Sequence, residues 1–257
     1  MTSMKSNSKG VAVVTGSAQG IGRGIAIRLA GDGYDIVIND LESNKDNLEE
    51  VKKEIIANFP EQRVLTVLGD VTIEEDVKGL IESAVKEFGS LNVFVANAGI
   101  CKPKLLIETT SDDFESVLAV NVKGTFYSYK YAAQQMIAQG EGGRIVGASS
   151  LAGKKGRSTY AVIPSCMFAV RGLTQCAAIE LGRNGITVNA YAPGAIQTPM
   201  LTGLVESADY DEFKRLSSVG DIGTTQDVSS LVSFLVTPEA RFITGQTISI
   251  DGGIFFD

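Results

Sequence analysis

The chain has 257 residues, 44% of them hydrophobic and 28 of them glycine, enough to bury a sizeable core threaded with tight turns. A formal charge of −7 argues against a nucleic-acid surface, which needs clustered cations. The complete absence of histidine removes imidazole bases, Ser–His and Cys–His nucleophile pairs and most zinc sites, so no metal is expected. Residues 1–9 show no apolar signal core and read as a flexible N-terminus. No apolar run approaches the roughly 20 residues of a bilayer span. Three unpatterned cysteines, Cys101, Cys166 and Cys176, fit a reduced, cytoplasmic protein with neither membrane nor nucleic acid as partner.

In chain order, the first β-branched run, "VAVVTG", feeds a turn with glycines at 16, 20, 22 and 24 ahead of a helical pattern. Such a turn lets backbone N–H groups and a helix N-terminus approach a pyrophosphate. The second run, "YDIVIND", ends at Asp40, where a carboxylate can accept bonds from adenosine ribose hydroxyls. A 2′-phosphate there would be repelled by a few kcal/mol at an effective dielectric constant of about 20. No arginine replaces Leu41, so NAD is favoured over NADP. Further runs follow in "VLTVLGDV", "LNVFVANAG", "RIVGASS", "ITVNAYAPG" and "QTISIDGG". Between the third and fourth, the pattern predicts a helix over Ile73–Phe88, with Thr72 and Glu75 at capping-box spacing, an apolar stripe and a terminal Gly89.

Near-continuous apolar strands alternating with amphipathic helices predict an α/β fold, a Rossmann-type doubly wound parallel sheet in a single domain over residues 10–257. The polar, glycine-spotted stretch 197–225 reads as a substrate lid.

Several motifs stand in a fixed order: "TGSAQGIG", "DV" at 70–71, "NAG" at 97–99, Asn121 in "AVNVKGTF", "SS" at 149–150, "PGAIQTPM" at 193–200 and "GQTISIDGG". Together they resemble the short-chain dehydrogenase/reductase family over about residues 10–253, with the flavour of its acetoin and butanediol dehydrogenases. The resemblance implies cofactor contacts from Gly16, Ser17, Gln19, Gly20, Ile21, Gly22, Asp40 and Leu41 at the adenosine and pyrophosphate end. It implies further contacts from Asp70, Val71, Asn97, Ala98 and Gly99. Pro193, Gly194, Ile196 and Thr198 would hold the nicotinamide end. It also implies a homotetramer or homodimer, with interface helices around Asn121 and over 168–182.

The family's catalytic centre combines a serine with a tyrosine and a lysine four residues later. The lysine is needed because a phenol of pKa about 10 requires a nearby cation to transfer a proton near neutrality. Ser150 matches the serine, and Asn121 matches the family's active-site asparagine. In a gapless register the tyrosine and lysine positions fall on Ile163 and Met167. In the other, Tyr160 is the tyrosine and its partner position is Pro164. In either register the pair is missing, because no lysine occurs between Lys155 and Lys214. Pro164 suits a helix's first turn, which would leave Tyr160 on the preceding loop as a substitute acid or as a surface residue. Cys101, Ile163, Met167 and Met200 are the expected wall of a small-molecule pocket.

Hydride transfer to an imine, iminium or carbonyl of a small, secondary-metabolite-like substrate without the usual relay is the first functional expectation. A non-redox cyclase, isomerase or cycloaddition catalyst, a silent NAD-binding protein, and a conventional dehydrogenase with its pair mutated are the others.

Overall fold

The computed structural model describes residues 8–156, 162–203 and 207–256. Most of the expected flexible stretch 1–9, and Tyr160, lie outside these residues.

All seven β-branched runs form strands: β1 (Val11–Thr15), β2 (Asp35–Asp40), β3 (Val64–Leu68), β4 (Val93–Ala96), β5 (Gly143–Ala148), β6 (Ile186–Pro193) and β7 (Thr247–Ile250). They pair in parallel, in the order β3-β2-β1-β4-β5-β6-β7. Every residue of β1 and β2 is buried, as strands covered on both faces require.

Alternate residues serve two cores. On one face Ala12, Val14, Ile36 and Ile38 meet α1 (Gly20–Gly31), α2 (Lys45–Asn58) and α9 (Thr225–Leu235). On the other, Val11, Val13, Phe94 and Ile145 meet α3 (Glu74–Phe88), α5 (Thr125–Gln139) and α6 (Val162–Leu181). Phe94 is fully buried; truncating such a ring to alanine typically costs about 3–5 kcal/mol. α4 (Ser111–Leu118) continues through a π-helical stretch, Ala119–Gly124, directly into α5. A Cβ at Gly124 would sit 2.8 Å from the Val71 side chain, so the stretch packs tightly against the end of the β3–α3 connection.

The capping box expected at α3 is absent. Ile73 is the N-cap, with no side-chain cap. Asp70 instead accepts from the Thr72 N–H at 2.8 Å, while Asp76 accepts from the Asp70 N–H at 2.8 Å. Asp70 thus takes the Thr72 N–H that Glu75 would have bonded. The left-handed Gly89 does end the helix, at φ 91°.

α6 together with the turn after it also departs from expectation. Val162–Asn184 is long and apolar enough by composition to cross a membrane, with a mean hydropathy of 1.4 over its most apolar window. Here it is a wall of the fold, burying Val162, Ile163, Pro164, Cys166, Met167 and Val170. Pro164 lies in the first turn of the helix as described, where its missing N–H is no loss.

Candidate active site

Strand order reverses between β1 and β4, and ligands of open α/β sheets bind in the crevice outside the carboxyl ends of the strands at such a point. The loops leaving β1 and β4 meet there. Gly16 and Gly20 both adopt left-handed backbone, at φ 62° and 57°. At Gly22 the requirement is closeness: a Cβ would stand 2.2 Å from the Gly16 carbonyl oxygen.

Helix α1 follows with Gln19 as an N-cap that makes no side-chain cap bond, and with no acidic residue in its first turn. An uncapped N-terminus without carboxylates fits an anion, and the tight glycine turn fits a pyrophosphate. A cleft opens beside it between Ala18, Gln19 and Gly20 on one side and Gln197, Pro199 and Thr225 on the other. Ser17 braces the turn from beneath. It is fully buried, with its N–H and hydroxyl both bonded to the Asn39 carbonyl.

Asp40 lies at the end of β2 and is 9% exposed. Its Oδ2 accepts from the Ala18 N–H at 3.0 Å, and its Oδ1 accepts from the Leu41 N–H at 2.9 Å and from Asn44 Nδ2 at 2.7 Å. All three donors are uncharged. Leu41 is exposed beside it.

Beneath the turn, Asn97 acts as a staple. Its Nδ2 donates to the Thr15 and Gly16 carbonyls at 2.8 and 3.0 Å, and its Oδ1 accepts from the Tyr191 hydroxyl at 2.7 Å. The N–H groups of Asn97 and Ala98 both donate to Thr15 Oγ1. Gly99 lets the chain pass Asn121, where a Cβ would lie 3.3 Å from Oδ1.

At the opposite end of the crevice, Ser150 Oγ accepts from the Ala152 N–H at 3.1 Å, which leaves its own O–H to donate. Asn121, in the π-helical stretch, has both ends of its carboxamide on Ile100: Oδ1 accepts from the N–H at 2.9 Å and Nδ2 donates to the carbonyl at 2.9 Å. Its carbonyl accepts from Thr125 Oγ1. The Asn121 carboxamide thus ties the π-helical stretch to the loop after β4.

Ile163 and Met167 are buried in a separate apolar cluster with Val117, Val162 and Cys166. Ile100, Cys101, Val122 and Ala152 pack against it. Three of the four expected pocket residues therefore meet; Met200 is half-exposed on α7 (Pro199–Thr202). Burial pushes the thiols of Cys101 and Cys166 up to about 11, which marks them as packed thiols and not as nucleophiles.

Pro193 and Gly194 leave β6, and the Gly194 N–H donates to the Ile250 carbonyl. Thr198 caps α7 and donates to the Ile196 carbonyl, and a Cβ at Gly20 would stand 3.6 Å from its methyl. The expected lid region is helical in part, carrying α7 and α8 (Ser207–Leu216). Its far end is fastened to the C-terminal turn: Ser217 and Ser218 donate to the Gly252 and Gly253 carbonyls.

Sequence reasoning missed Thr15, Asn44 and Tyr191. Asn44 had a usable signal, since it lies four residues past Asp40 in a short turn. Tyr191 is 94 residues from Asn97 and had none.

Residues 16–255 match a family model described as enoyl-(acyl carrier protein) reductase. The chain is 45% identical over 253 residues to a short-chain dehydrogenase/reductase of Armillaria gallica, covering 96% of each. It is 37% identical to the L-2,3-butanediol dehydrogenase of Corynebacterium glutamicum, covering 96% of this chain and 99% of that one. Among solved structures it is similar to YwfH, an NADPH-dependent reductase involved in bacilysin biosynthesis. That match has a TM-score of 0.91 and 27% identity, over 97% of this chain and 100% of the other. The chain belongs to the short-chain dehydrogenase/reductase family of oxidoreductases.

Proposed function

We propose that the protein binds NADH in preference to NADPH and delivers hydride to an imine, iminium or carbonyl carbon of a small molecule without a tyrosine–lysine proton relay. The observation that carries this is the burial of Ile163 and Met167 among Val117, Val162 and Cys166, beside the serine-bearing turn. Apolar side chains there neither donate a proton nor hold a cation. An iminium needs hydride alone, so the missing acid costs it nothing; an imine would be protonated to the iminium before it binds, and a carbonyl would take its proton from the Ser150 hydroxyl, which solvent then restores.

The residues fit the cofactor's parts. The glycine turn and the N-terminus of α1 would take the pyrophosphate, Asp40 the adenosine ribose, and the Pro193–Thr198 loop the nicotinamide. When bound, the reduced nicotinamide supplies the hydride. Ser150 would orient the acceptor through its O–H, while Ile100, Cys101, Ile163 and Met167 exclude water from it. Asp40 supports NADH because its carboxylate, held by the uncharged donors of Ala18, Leu41 and Asn44, would repel a 2′-phosphate. The relationship to an NADPH-dependent reductase makes that preference worth direct measurement.

The same apolar cluster favours a second reading, in which the cleft folds a substrate for a non-redox rearrangement; positioning alone can lower a barrier by about 7–11 kcal/mol in well-oriented cases. Exposed Phe126 and Ile137 on α5 and Phe168 and Ile179 on α6 support assembly into a homo-oligomer.

The test is to measure binding of NADH and NADPH, then follow oxidation of the reduced nicotinamide with panels of cyclic imines and of simple ketones. Turnover of imines with little turnover of ketones is the expected result. Cofactor binding without oxidation by any acceptor would shift the reading to non-redox chemistry.

A further inference from the structure

We infer that Tyr191 is a positioning residue for the cofactor-binding turn, acting through Asn97. This rests on the reading of the glycine turn as a dinucleotide site. The tyrosine is 1% exposed on β6, and its hydroxyl donates to Asn97 Oδ1 at 2.7 Å. That bond decides which way the Asn97 carboxamide faces. With Oδ1 held by a donor, Nδ2 points to the carbonyls of Thr15 and Gly16, the last residue of β1 and the first glycine of the turn. Reversed, the carboxamide would set an oxygen against those two carbonyl oxygens, an arrangement with no hydrogen bond and with repulsion.

There is little room for any third arrangement. A Cβ at Gly22 would lie 2.4 Å from Asn97 Nδ2 and 2.2 Å from the Gly16 carbonyl, so the carboxamide, the first glycine and the third are in close contact. A small movement of Asn97 is therefore transmitted to the turn. Desolvation holds the Tyr191 phenol well above its ordinary range, so it remains a donor throughout neutral pH. Tyr191 also touches the other end of the crevice, because its carbonyl accepts the Ser149 N–H at 2.9 Å. One residue of β6 thus fixes the register between the glycine turn and the segment that carries Ser150.

Tyr191→Phe removes the hydroxyl and keeps the ring. We expect NADH affinity to fall about tenfold, the scale of one buried hydrogen bond lost from a binding turn. In the protein without cofactor, amide hydrogen exchange over residues 16–22 should rise selectively against exchange in β5 and α5. Asn97→Ala should weaken NADH to a similar degree. The double variant should be no worse than Asn97→Ala alone, since the hydroxyl acts only through the carboxamide. Unchanged NADH affinity and unchanged exchange at 16–22 in Tyr191→Phe, with a lowered melting temperature, would make Tyr191 a packing residue and overturn the proposal. Additive losses in the double variant would overturn it too. If Tyr191→Phe does not fold, Asn97→Asp decides: it keeps the oxygen facing Tyr191 but cannot donate to Gly16, so unaltered affinity and exchange would defeat the proposal. Failure of the unmutated protein to bind any dinucleotide would instead overturn the cofactor reading, and the exchange measurement would still decide whether Tyr191 holds the turn.

Discussion

The Ser149 hydroxyl donates to the Met167 carbonyl at 3.2 Å and thereby ties the end of β5 to the second turn of α6. Gly153 closes the same knot, since a Cβ there would lie 2.9 Å from that carbonyl and 2.6 Å from Ser149 Oγ. Position 167 is consequently held against the segment that carries Ser150, with Ile163 one turn earlier on the helix.

From this follows the expected effect of placing a tyrosine and a lysine at positions 163 and 167. Ile163→Tyr with Met167→Lys should raise NADH-dependent reduction of diacetyl by on the order of 10²-fold, read as loss of reduced-nicotinamide absorbance. Neither single change should do as much. Met167→Lys alone should lower stability by about 3–5 kcal/mol, because it leaves an uncompensated charge in an apolar cluster. Restoration by Pro164→Lys instead, acting with Tyr160, would show that the other register holds.

Gly153→Ala should destabilise the fold by about 1–3 kcal/mol in chemical denaturation, since the new methyl meets the Ser149 hydroxyl and, behind it, the Met167 carbonyl of the α6 backbone, which cannot turn aside. Gly156→Ala is the matched control, with nothing within 4 Å of its added carbon and no left-handed φ, and should change stability little.

At Asp40 two effects should separate. Asp40→Ala removes both the charge and the acceptor of three N–H donors, so it should narrow the gap between NADH and NADPH affinities and also cost about 1–3 kcal/mol of stability. Asn44→Ala leaves the charge and removes one donor. It should keep the NADH preference with a smaller loss of stability. Calorimetric titration with both cofactors, alongside thermal melts, distinguishes the two.

Thiol chemistry should follow burial. The Cys101 thiol is pushed from 9.0 up to about 11 by desolvation, so its thiolate is scarce at neutral pH and grows about tenfold per pH unit below that value. Iodoacetamide at pH 7.5 should therefore label exposed Cys176 first, and labelling of Cys101 should accelerate steadily up to about 11. Peptide mass spectrometry reads the order. Labelling of Cys101 at neutral pH as fast as Cys176 would show that its pocket admits water.

All seven strands were legible because β-branched runs such as "VAVVT" and "DIVIND" admit few other readings, and Gly89 marked its helix end unaided. That Ile163 and Met167 are apolar was plain from the sequence; that they share one buried cluster with Val117 and Cys166 was not. Less visible was what occupied hydrogen-bonding groups. Thr72 and Glu75 have the right spacing for a cap, yet Asp70 takes the Thr72 N–H that Glu75 would have bonded. Nor did the sequence show that the Asn121 carboxamide is held at both ends by Ile100, 21 residues away. Spacing along a chain reports which side chains exist; which of them are already engaged depends on partners that only the folded sheet brings close.

The contact between α1 and α9 has a consequence for synthesis of the chain. Ser233 donates to Asp32 and Tyr34 to the Val236 carbonyl, across 201 and 202 residues, and Gly24 lies against Thr225. At about 5–20 residues per second, a ribosome needs roughly 10–40 s to deliver the second partner after the first. Throughout that interval Ile25 and Leu29, which end fully buried, lack the C-terminal helix that covers them. The nascent chain is therefore a natural client for chaperones that hold apolar helices. Fragments ending before residue 225 should collect in inclusion bodies even though they contain the whole glycine turn.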